Sequence, residues 1–307
     1  MIDLSVDING LRLANPVMPA SGTFAEGLAE VIDFNRLGAF VTKTFTLHPR
    51  SSNPLPRVCE LDSARLNAIG IPSKGVEDFI AHMLPFYQQY APPLIASISA
   101  PTAQEFTTPA RLSEVPDIAA IEANISCPNI EEDGRAFAIE PVATARVIKA
   151  LRQATSLPLW AKLTPNTSDV AAVAQAVEHE GGDAVVVGNT LLGMSIDIHS
   201  RRPRLGNIMG GLSGPAIKPI MLRMVYQCHK HISIPIIGCG GIADAEDAIA
   251  YMLAGASALQ VGTATFIQPQ TMITLLDSLH QYCQQQGIRH IGELTGALDD
   301  APVADLR

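Results

Sequence analysis

Short apolar runs separated by helical patterns recur along most of the chain. Eight such runs occupy residues 16–20, 39–43, 94–98, 121–126, 159–163, 184–188, 235–238 and 258–262. Continuous apolar runs of this kind predict strands that are buried on both faces, as in a parallel sheet covered by helices. Eight strand-then-helix units predict an α/β fold, a single TIM (β/α)8 barrel domain over residues 1–307. The alternative is a doubly wound open sheet, but 20–23 only partly match its Gly-rich first turn.

Local signals add detail to this barrel. Asn9-Gly10 predicts an N-terminal hairpin over residues 4–13, placed to plug the bottom of the barrel. After the fifth strand, Ser168-Asp169 can cap a helix that Gly181-Gly182 end. Two long loops, 44–75 and 189–214, leave the second and sixth strands at their C-terminal ends, where barrel enzymes carry their chemistry.

The amino-acid composition limits the classes of protein to which this chain can belong. Hydrophobic residues make up 47% of the chain and charged residues 17%, which favours a large core. The net charge of -9 argues against a nucleic-acid partner. The five cysteines are odd in number and lack metal-ligand spacing, so neither a disulfide framework nor a metal site is expected. Without a signal-like start or a run of about 18 apolar residues, the chain is predicted to be cytoplasmic and not membrane-bound.

The fourth apolar run ends in Asn124-Ile125-Ser126-Cys127-Pro128-Asn129. A thiol held at a strand end between side-chain amides is suited to accept a proton beside a polar, planar ligand. The alternative is a small buried cysteine at a tight turn, which is the usual role of a cysteine.

The loops after the seventh and eighth strands are rich in glycine. Gly238-Cys239-Gly240-Gly241 precedes a helix, and Gly262-Thr263 ends the eighth strand. Backbone N–H groups at glycines can approach an anion closely, and these two loops commonly bind phosphate in TIM barrels. The pair therefore predicts a phosphate site, for a phosphorylated substrate or a cofactor such as FMN.

Polar residues at the same predicted barrel face suggest what else binds there. Lys43 and Lys162 interrupt apolar runs, and a ligand with negative charge would compensate buried ammonium groups. A ring of amides fits a small heterocycle with alternating N–H and C=O groups. The candidate amides and their neighbour are Asn67, Asn124, Asn129, Asn189 and Thr190. Each of these residues taken alone would more often be a surface lysine or a turn residue.

With these motifs together, the chain resembles the class 1 dihydroorotate dehydrogenases over nearly its whole length. The matching stretches are 19–24, 42–44, 53–57, 66–70, 124–129, 210–215, 237–242 and 261–263. The resemblance implies FMN in a TIM barrel, oxidation of dihydroorotate to orotate in pyrimidine biosynthesis, and Cys127 as the base that removes the C5 proton while C6 gives hydride to flavin N5. It implies substrate contacts from Lys43, Asn67, Ala68, Ile69, Gly70, Ile71, Asn124, Asn129, Asn189 and Thr190. It implies FMN contacts from Ser21, Lys43, Thr44, Ser97, Asn124, Lys162, Gly188, Gly214, Gly240, Gly241, Gly262 and Thr263.

Members of class 1 differ in the electron acceptor that they use. Stretches 210–219 and 163–166 are similar to class 1B, which pairs the catalytic chain with an FAD and iron–sulfur subunit that reduces NAD. Class 1A homodimers use fumarate instead. Two features depart from class 1B: Ser97 stands where Asn is frequent, and the loop 58–62 differs. The resemblance thus implies a homodimer, or a heterotetramer with an electron-transfer subunit.

Two other functions remain open at this point. The chain could be a related FMN barrel such as a dihydropyrimidine reductase, but that enzyme would lack groups that bind the orotate carboxylate. A dihydrouridine enzyme would need basic surface for RNA. A non-catalytic barrel could serve as a scaffold, and the presence of both Cys127 and Lys43 argues against it.

Overall fold

The computed structural model describes residues 2–126 and 136–301. Its strands, in chain order, are β1 (Val6–Ile8), β2 (Leu11–Leu13), β3 (Val17–Pro19), β4 (Phe40–Val41), β5 (Val58–Leu61), β6 (Ala64–Asn67), β7 (Leu94–Ile98), β8 (Ile118–Asn124), β9 (Leu159–Lys162), β10 (Ala184–Val187), β11 (Leu191–Met194), β12 (Ile196–Asp197), β13 (Arg202–Pro203), β14 (Met209–Ser213), β15 (Ile236–Cys239) and β16 (Ala258–Val261).

Eight of these strands form one parallel sheet, in the order β3-β16-β15-β10-β9-β8-β7-β4. The two end strands approach each other, and Gly38 N, just before β4, donates to Val17 O of β3 at 2.8 Å. Nearly every residue of the eight strands is buried, as their apolar sequences predict. The predicted TIM barrel is confirmed, including all eight strands.

Helices surround the barrel: α1 (Val76–Asp78), α2 (Leu84–Tyr87), α3 (Thr107–Leu112), α4 (Pro141–Ala154), α5 (Val170–His179), α6 (Lys218–His229), α7 (Ala245–Leu253), α8 (Thr263–Ile267) and α9 (Thr271–Gln286). A π-helical turn, Phe79–Met83, joins α1 to α2. Helix α5 begins as predicted, because the Asp169 side chain accepts from Ala172 N. None of the helices in the described ranges is long and apolar enough to cross a membrane.

The first unit departs from the regular pattern. Between β3 and β4 the chain forms two 3-10 helices, Glu26–Glu30 and Phe34–Arg36, where a helical pattern was predicted. Phe34 packs there against Phe24 and Phe40, with ring centroids 4.6 and 5.3 Å away. An aromatic cluster thus covers this side of the barrel.

The N-terminal hairpin lies at the N-terminal end of the barrel strands. Asn9 and Gly10 form its turn with positive φ, and Asn9 Nδ2 donates to Asp183 Oδ1, one residue before β10, at 2.9 Å. Ile8 and Leu13 are fully buried. The hairpin therefore packs opposite to the predicted site.

The two long loops build a second sheet together. Strands β11, β14, β6 and β5 lie side by side in that order and pair antiparallel. Sequence analysis predicted both loops but not their pairing, because cross-strand register between distant loops leaves no local pattern. This sheet stands beside the C-terminal ends of the barrel strands.

Candidate functional site

Those predicted site residues that the structure describes lie at or just beyond the C-terminal ends of the barrel strands and on or beside the second sheet. Cys127 and Asn129 lie outside the described residues. Lys162 is the last residue of β9, Asn124 the last of β8, and Gly188 follows β10 directly.

Three glycines shape a cleft beside β15 and β16. Gly214, Gly240 and Gly241 have φ of 100°, 124° and 73°, a region that glycine adopts far more readily than other residues. A β-carbon at Gly241 would lie 2.9 Å from Lys218 Cβ and 3.0 Å from Gly214 O. Together with Thr263 and neighbouring residues, Gly214 and Gly241 line the cleft. Its backbone geometry suits a phosphate group approaching bare glycines.

The cleft is held by contacts around it. Thr263 Oγ1 donates to Ser213 Oγ at 2.8 Å, joining the end of β16 to the second sheet. Lys218 pairs with Asp247, whose carboxylate also accepts from Ala243 N at 2.9 Å. The carboxylate and neighbouring acidic groups raise the pKa of Lys218. These bonds fix the loop after β15 on both sides.

Lys162 lies inside the barrel mouth, with its side chain only 4% exposed. Its ammonium donates to Gln260 Oε1 at 2.8 Å and to Ser21 Oγ at 3.1 Å, and Glu122 Oε1 lies 4.0 Å away. The protein itself thus supplies a counter-charge. The expectation that a ligand compensates this ammonium stays a prediction, to which the structure adds protein partners.

Lys43 differs from Lys162 in its surroundings. It follows β4 rather than lying within it, and it is exposed. The expectation of a buried ammonium at this position is wrong, because Lys43 lies beyond the end of β4 at Val41 and is exposed between buried neighbours. Its neighbour Thr44 is buried. The hydroxyl oxygen of Thr44 lies 2.8 Å from that of Ser97, which is buried on β7.

Hydrogen bonds connect the buried amides and hydroxyls at the mouth. Asn124 Nδ2 donates to Thr44 Oγ1 at 3.2 Å, and Ser126 Oγ donates to Asn124 Oδ1 at 2.6 Å. Asn189 Nδ2 then donates to Ser126 Oγ at 2.7 Å, while Thr190 N donates to Asn189 Oδ1 at 2.7 Å. Two of the predicted asparagines therefore belong to one network.

The second sheet places Asn67 and Thr190 next to the same strand, β14, one on each side. Asn67 pairs with Gly211 of β14, and its Nδ2 donates to Gly211 O at 3.4 Å. A β-carbon at Gly211 would lie 2.0 Å from Thr190 Oγ1, so only glycine allows that approach. Both predicted substrate residues thus adjoin β14.

The predicted substrate segment 67–71 turns sharply after β6. Gly70 and Ile71 have φ of 89° and 51°, and a positive φ is uncommon for a β-branched residue. Asn53 secures the turn: its N donates to Ile69 O at 3.0 Å and its Nδ2 to Ala68 O at 3.2 Å. The backbone here is held in an unusual path beside the site.

The cysteines of the described ranges are buried. Burial raises the pKa of Cys239, at the end of β15, and the nearby Lys162 ammonium only partly opposes it. Burial also raises the pKa of Cys228 to about 12. These thiols stay protonated at neutral pH, so they are poor candidates for a base.

Sequence analysis missed three polar residues that link the site together. They are Glu122, Gln260 and Ser126. The signal available for the first two was a polar side chain inside an apolar strand run. Both are fully buried, and Glu122 shares the inward face of β8 with Asn124.

The family model described as Dihydroorotate dehydrogenase matches residues 3–282. The chain belongs to the dihydroorotate dehydrogenase family. It is similar to the dihydroorotate dehydrogenase B (NAD(+)) catalytic subunit of Pelobacter propionicus, with 46% identity over 300 residues, 97% of this chain and 99% of that protein. The proteins of the same name from Trichlorobacter lovleyi and Bacteroides fragilis are 46% and 44% identical. These matches cover 96% and 97% of this chain, and 98% and 100% of those proteins.

In each comparison the similarity therefore extends along nearly the full length of both proteins. The predicted resemblance to the class 1B catalytic chains is confirmed by these relatives. The barrel mouth described above is accordingly the candidate active site of a dihydroorotate dehydrogenase.

Proposed function

We propose that this chain oxidises dihydroorotate to orotate in pyrimidine biosynthesis, as one FMN-binding domain over residues 1–307. The observation that carries the proposal is the sharing of one barrel mouth by the glycine cleft, the buried Lys162 and the linked asparagines. The names of the full-length relatives support the same reaction. They favour it over the related dihydropyrimidine reductase.

The residues present fit FMN. The cleft at Gly214, Gly241 and Thr263, with Gly240 next to it in the chain, would offer close backbone approach for the phosphate. The buried ammonium of Lys162 offers positive charge for the polar edge of the ring system. Gly262 lies beside the cleft. The remaining proposed contacts to FMN are Ser21, Thr44, Ser97, Asn124, Gly188 and the exposed Lys43.

When bound, FMN supplies a hydride acceptor at flavin N5 for the hydrogen at C6 of dihydroorotate. Cys127 takes the proton from C5, so that the C5–C6 double bond of orotate forms. A thiolate is needed for that step, and an ordinary thiol with a pKa near about 8.5 is partly ionised at neutral pH.

The amides hold the planar pyrimidine ring. Asn67, Asn124, Asn129 and Asn189 would offer both donors and acceptors to its N–H and C=O groups. Thr190 and the strained turn 68–71 would close the pocket around the ring, and Lys43 would face the substrate carboxylate. Ordering of this kind raises the rate by holding the reacting atoms in place.

We propose that electrons pass from this chain to NAD through a partner subunit carrying FAD and an iron–sulfur cluster. The name of the relatives, a catalytic subunit of a B (NAD(+)) enzyme, supports this acceptor over fumarate. The catalytic chain would form a homodimer within that assembly.

Anaerobic turnover tests the proposal. The FMN-loaded chain should lose its yellow colour on addition of dihydroorotate and release orotate in equal amount. Fumarate, quinone and NAD are then added in turn, with and without co-purified partner. We expect NAD to act only with the partner, and a chain whose flavin stays oxidised with dihydroorotate would refute the function.

A further inference from the structure

Glu122 is a carboxylate buried in the barrel interior for which the proposed mechanism has no role. Its side chain is 0% exposed and lies among groups from three other strands. We propose that Glu122 is a positioning residue: its two acceptor oxygens set the direction of hydrogen bonding to Lys162 on one side and to Asn124 and Asn189 on the other. This inference rests on the proposed function, because those three residues are the proposed ligand contacts.

The first side runs through Gln260. An ionised carboxylate can only accept, so Gln260 has to turn its Nε2 toward Glu122 Oε2, at 2.6 Å. The Gln260 Oε1 is thereby turned toward Lys162, whose ammonium can only donate, at 2.8 Å. Glu122 thus decides which end of the Gln260 amide meets Lys162.

The second side begins at Ser97. A hydroxyl has a single proton, and Ser97 gives it to Glu122 Oε1 at 3.0 Å. The contact of 2.8 Å between Ser97 and Thr44 then requires Thr44 to be the donor. With its proton used, Thr44 Oγ1 is an acceptor for Asn124 Nδ2 at 3.2 Å.

The same order of donor and acceptor continues along the described part of the network. Asn124 Oδ1 accepts from Ser126, which in turn accepts from Asn189 Nδ2. At the far end the backbone N–H of Thr190 can only donate, and it donates to Asn189 Oδ1. A donor fixed at Thr190 and an acceptor fixed at Glu122 therefore require the same direction for every bond between them.

Both sides need an acceptor from Glu122 at once. A carboxylate offers two acceptor oxygens, whereas an amide of the same shape offers one oxygen and one N–H donor. The variant Glu122→Gln therefore disrupts either the bond from Ser97 or the bond from Gln260. It also removes the negative charge 4.0 Å from Lys162.

An exchange of the two residues should restore the pattern. In the double variant Glu122→Gln with Gln260→Glu, the amide at 122 accepts from Ser97 and donates to the carboxylate at 260. That carboxylate still accepts from Lys162, and the net charge is unchanged. Rescue by the exchange distinguishes hydrogen-bond direction from simple packing.

The experiment measures FMN affinity by fluorescence quenching, flavin midpoint potential, and orotate affinity from the flavin absorbance change. A hydrogen bond to a charged group is worth a factor of about 10 to 100 in affinity. We expect Glu122→Gln to lose about that factor for FMN or orotate and to shift the potential to more positive values. The exchange variant should recover most of the lost affinity.

Two further variants keep the test decisive if Glu122→Gln does not fold. Ser97→Ala interrupts only the second side, so orotate affinity should fall. Ser113→Ala is the control, because Ser113 is a fully buried hydroxyl that bonds to Pro109 O outside this network. It should change neither affinity.

The outcomes separate this inference from the proposed function. A parent chain that binds FMN but is not reduced by dihydroorotate refutes the function, and FMN affinity and potential still report on Glu122. Unchanged affinities in Glu122→Gln, or failure of the folded exchange variant to recover, would overturn the positioning role. If neither variant folds, unchanged orotate affinity in Ser97→Ala would overturn it as well.

Discussion

Gly241→Asp is the most direct test of the phosphate site, because the chain contains a matched glycine elsewhere. Gly241 has φ of 73°, and Gly287, at the end of α9, has φ of 71°. A β-carbon at Gly287 meets no other group within 4 Å, whereas one at Gly241 lies 2.9 Å from Lys218 Cβ. Gly287→Asp therefore reproduces the backbone strain of Gly241→Asp without the crowding and away from the cleft.

The two variants share a strain of about 1 kcal/mol for a side chain in the left-handed region. Gly241→Asp adds crowding and charge repulsion. At about 5 Å and an effective dielectric of about 20, each pair of like unit charges costs about 3 kcal/mol. That energy corresponds to a loss of more than about 100-fold in FMN affinity.

The assay compares flavin content, FMN titration by fluorescence, and circular dichroism of the two purified variants. Gly287→Asp should be yellow and melt about 1 to 2 °C lower than the parent. Gly241→Asp should be colourless with an intact barrel spectrum. Equal FMN affinity in the two variants would show that the cleft does not hold the phosphate.

Three further predictions concern the lysine and the cysteines. Lys162→Ala should weaken FMN binding and slow flavin reduction measured by stopped-flow. The control Lys230→Ala, at an exposed lysine paired with Asp300, should change neither. If Lys162→Ala reduces its flavin at the parent rate, Lys162 has only a structural role. Cys127→Ala should lose about 10²- to 10⁴-fold in flavin reduction while still binding orotate, and Cys127→Ser should act only at higher pH; near-parent kinetics would place the base elsewhere. Burial raises the pKa of Cys228 from 9.0 to about 12. As pH rises, this thiol therefore loses its proton first in the unfolded chain, and the stability that the protonated thiol contributes is lost between pH 9 and 12. Urea unfolding at pH 8 and 10 should show the parent losing about 1 kcal/mol more than Cys228→Ala, and equal losses would contradict the buried, protonated thiol.

The barrel could be predicted from sequence because its signals are local. Each apolar run specifies a strand from its own residues, and Asp169 caps its helix from within the same segment. The largest difference in a strand boundary is at β8, which begins at Ile118, three residues before the predicted start, since Ile118 pairs with Leu94 ahead of a register shift. That pairing depends on a neighbouring strand and has no local signature.

The glycine cleft was also predictable, because the requirement for a positive φ is a property of single residues such as Gly240 and Gly241. The second sheet was not, because β6 and β14 come from loops far apart in the chain. The close approach of Thr190 to Gly211 follows only from that pairing.

The charge balance inside the barrel was decided by tertiary structure alone. Lys162 was recognised in the sequence as an anomalous buried cation, but its partners Ser21 and Gln260 lie 141 and 98 residues away. Glu122 and Ser97 join the same cluster from two further strands. A sequence reveals which side chains are costly to bury, whereas the partners that stabilise them are fixed only when the closing barrel brings separate strands to one interior.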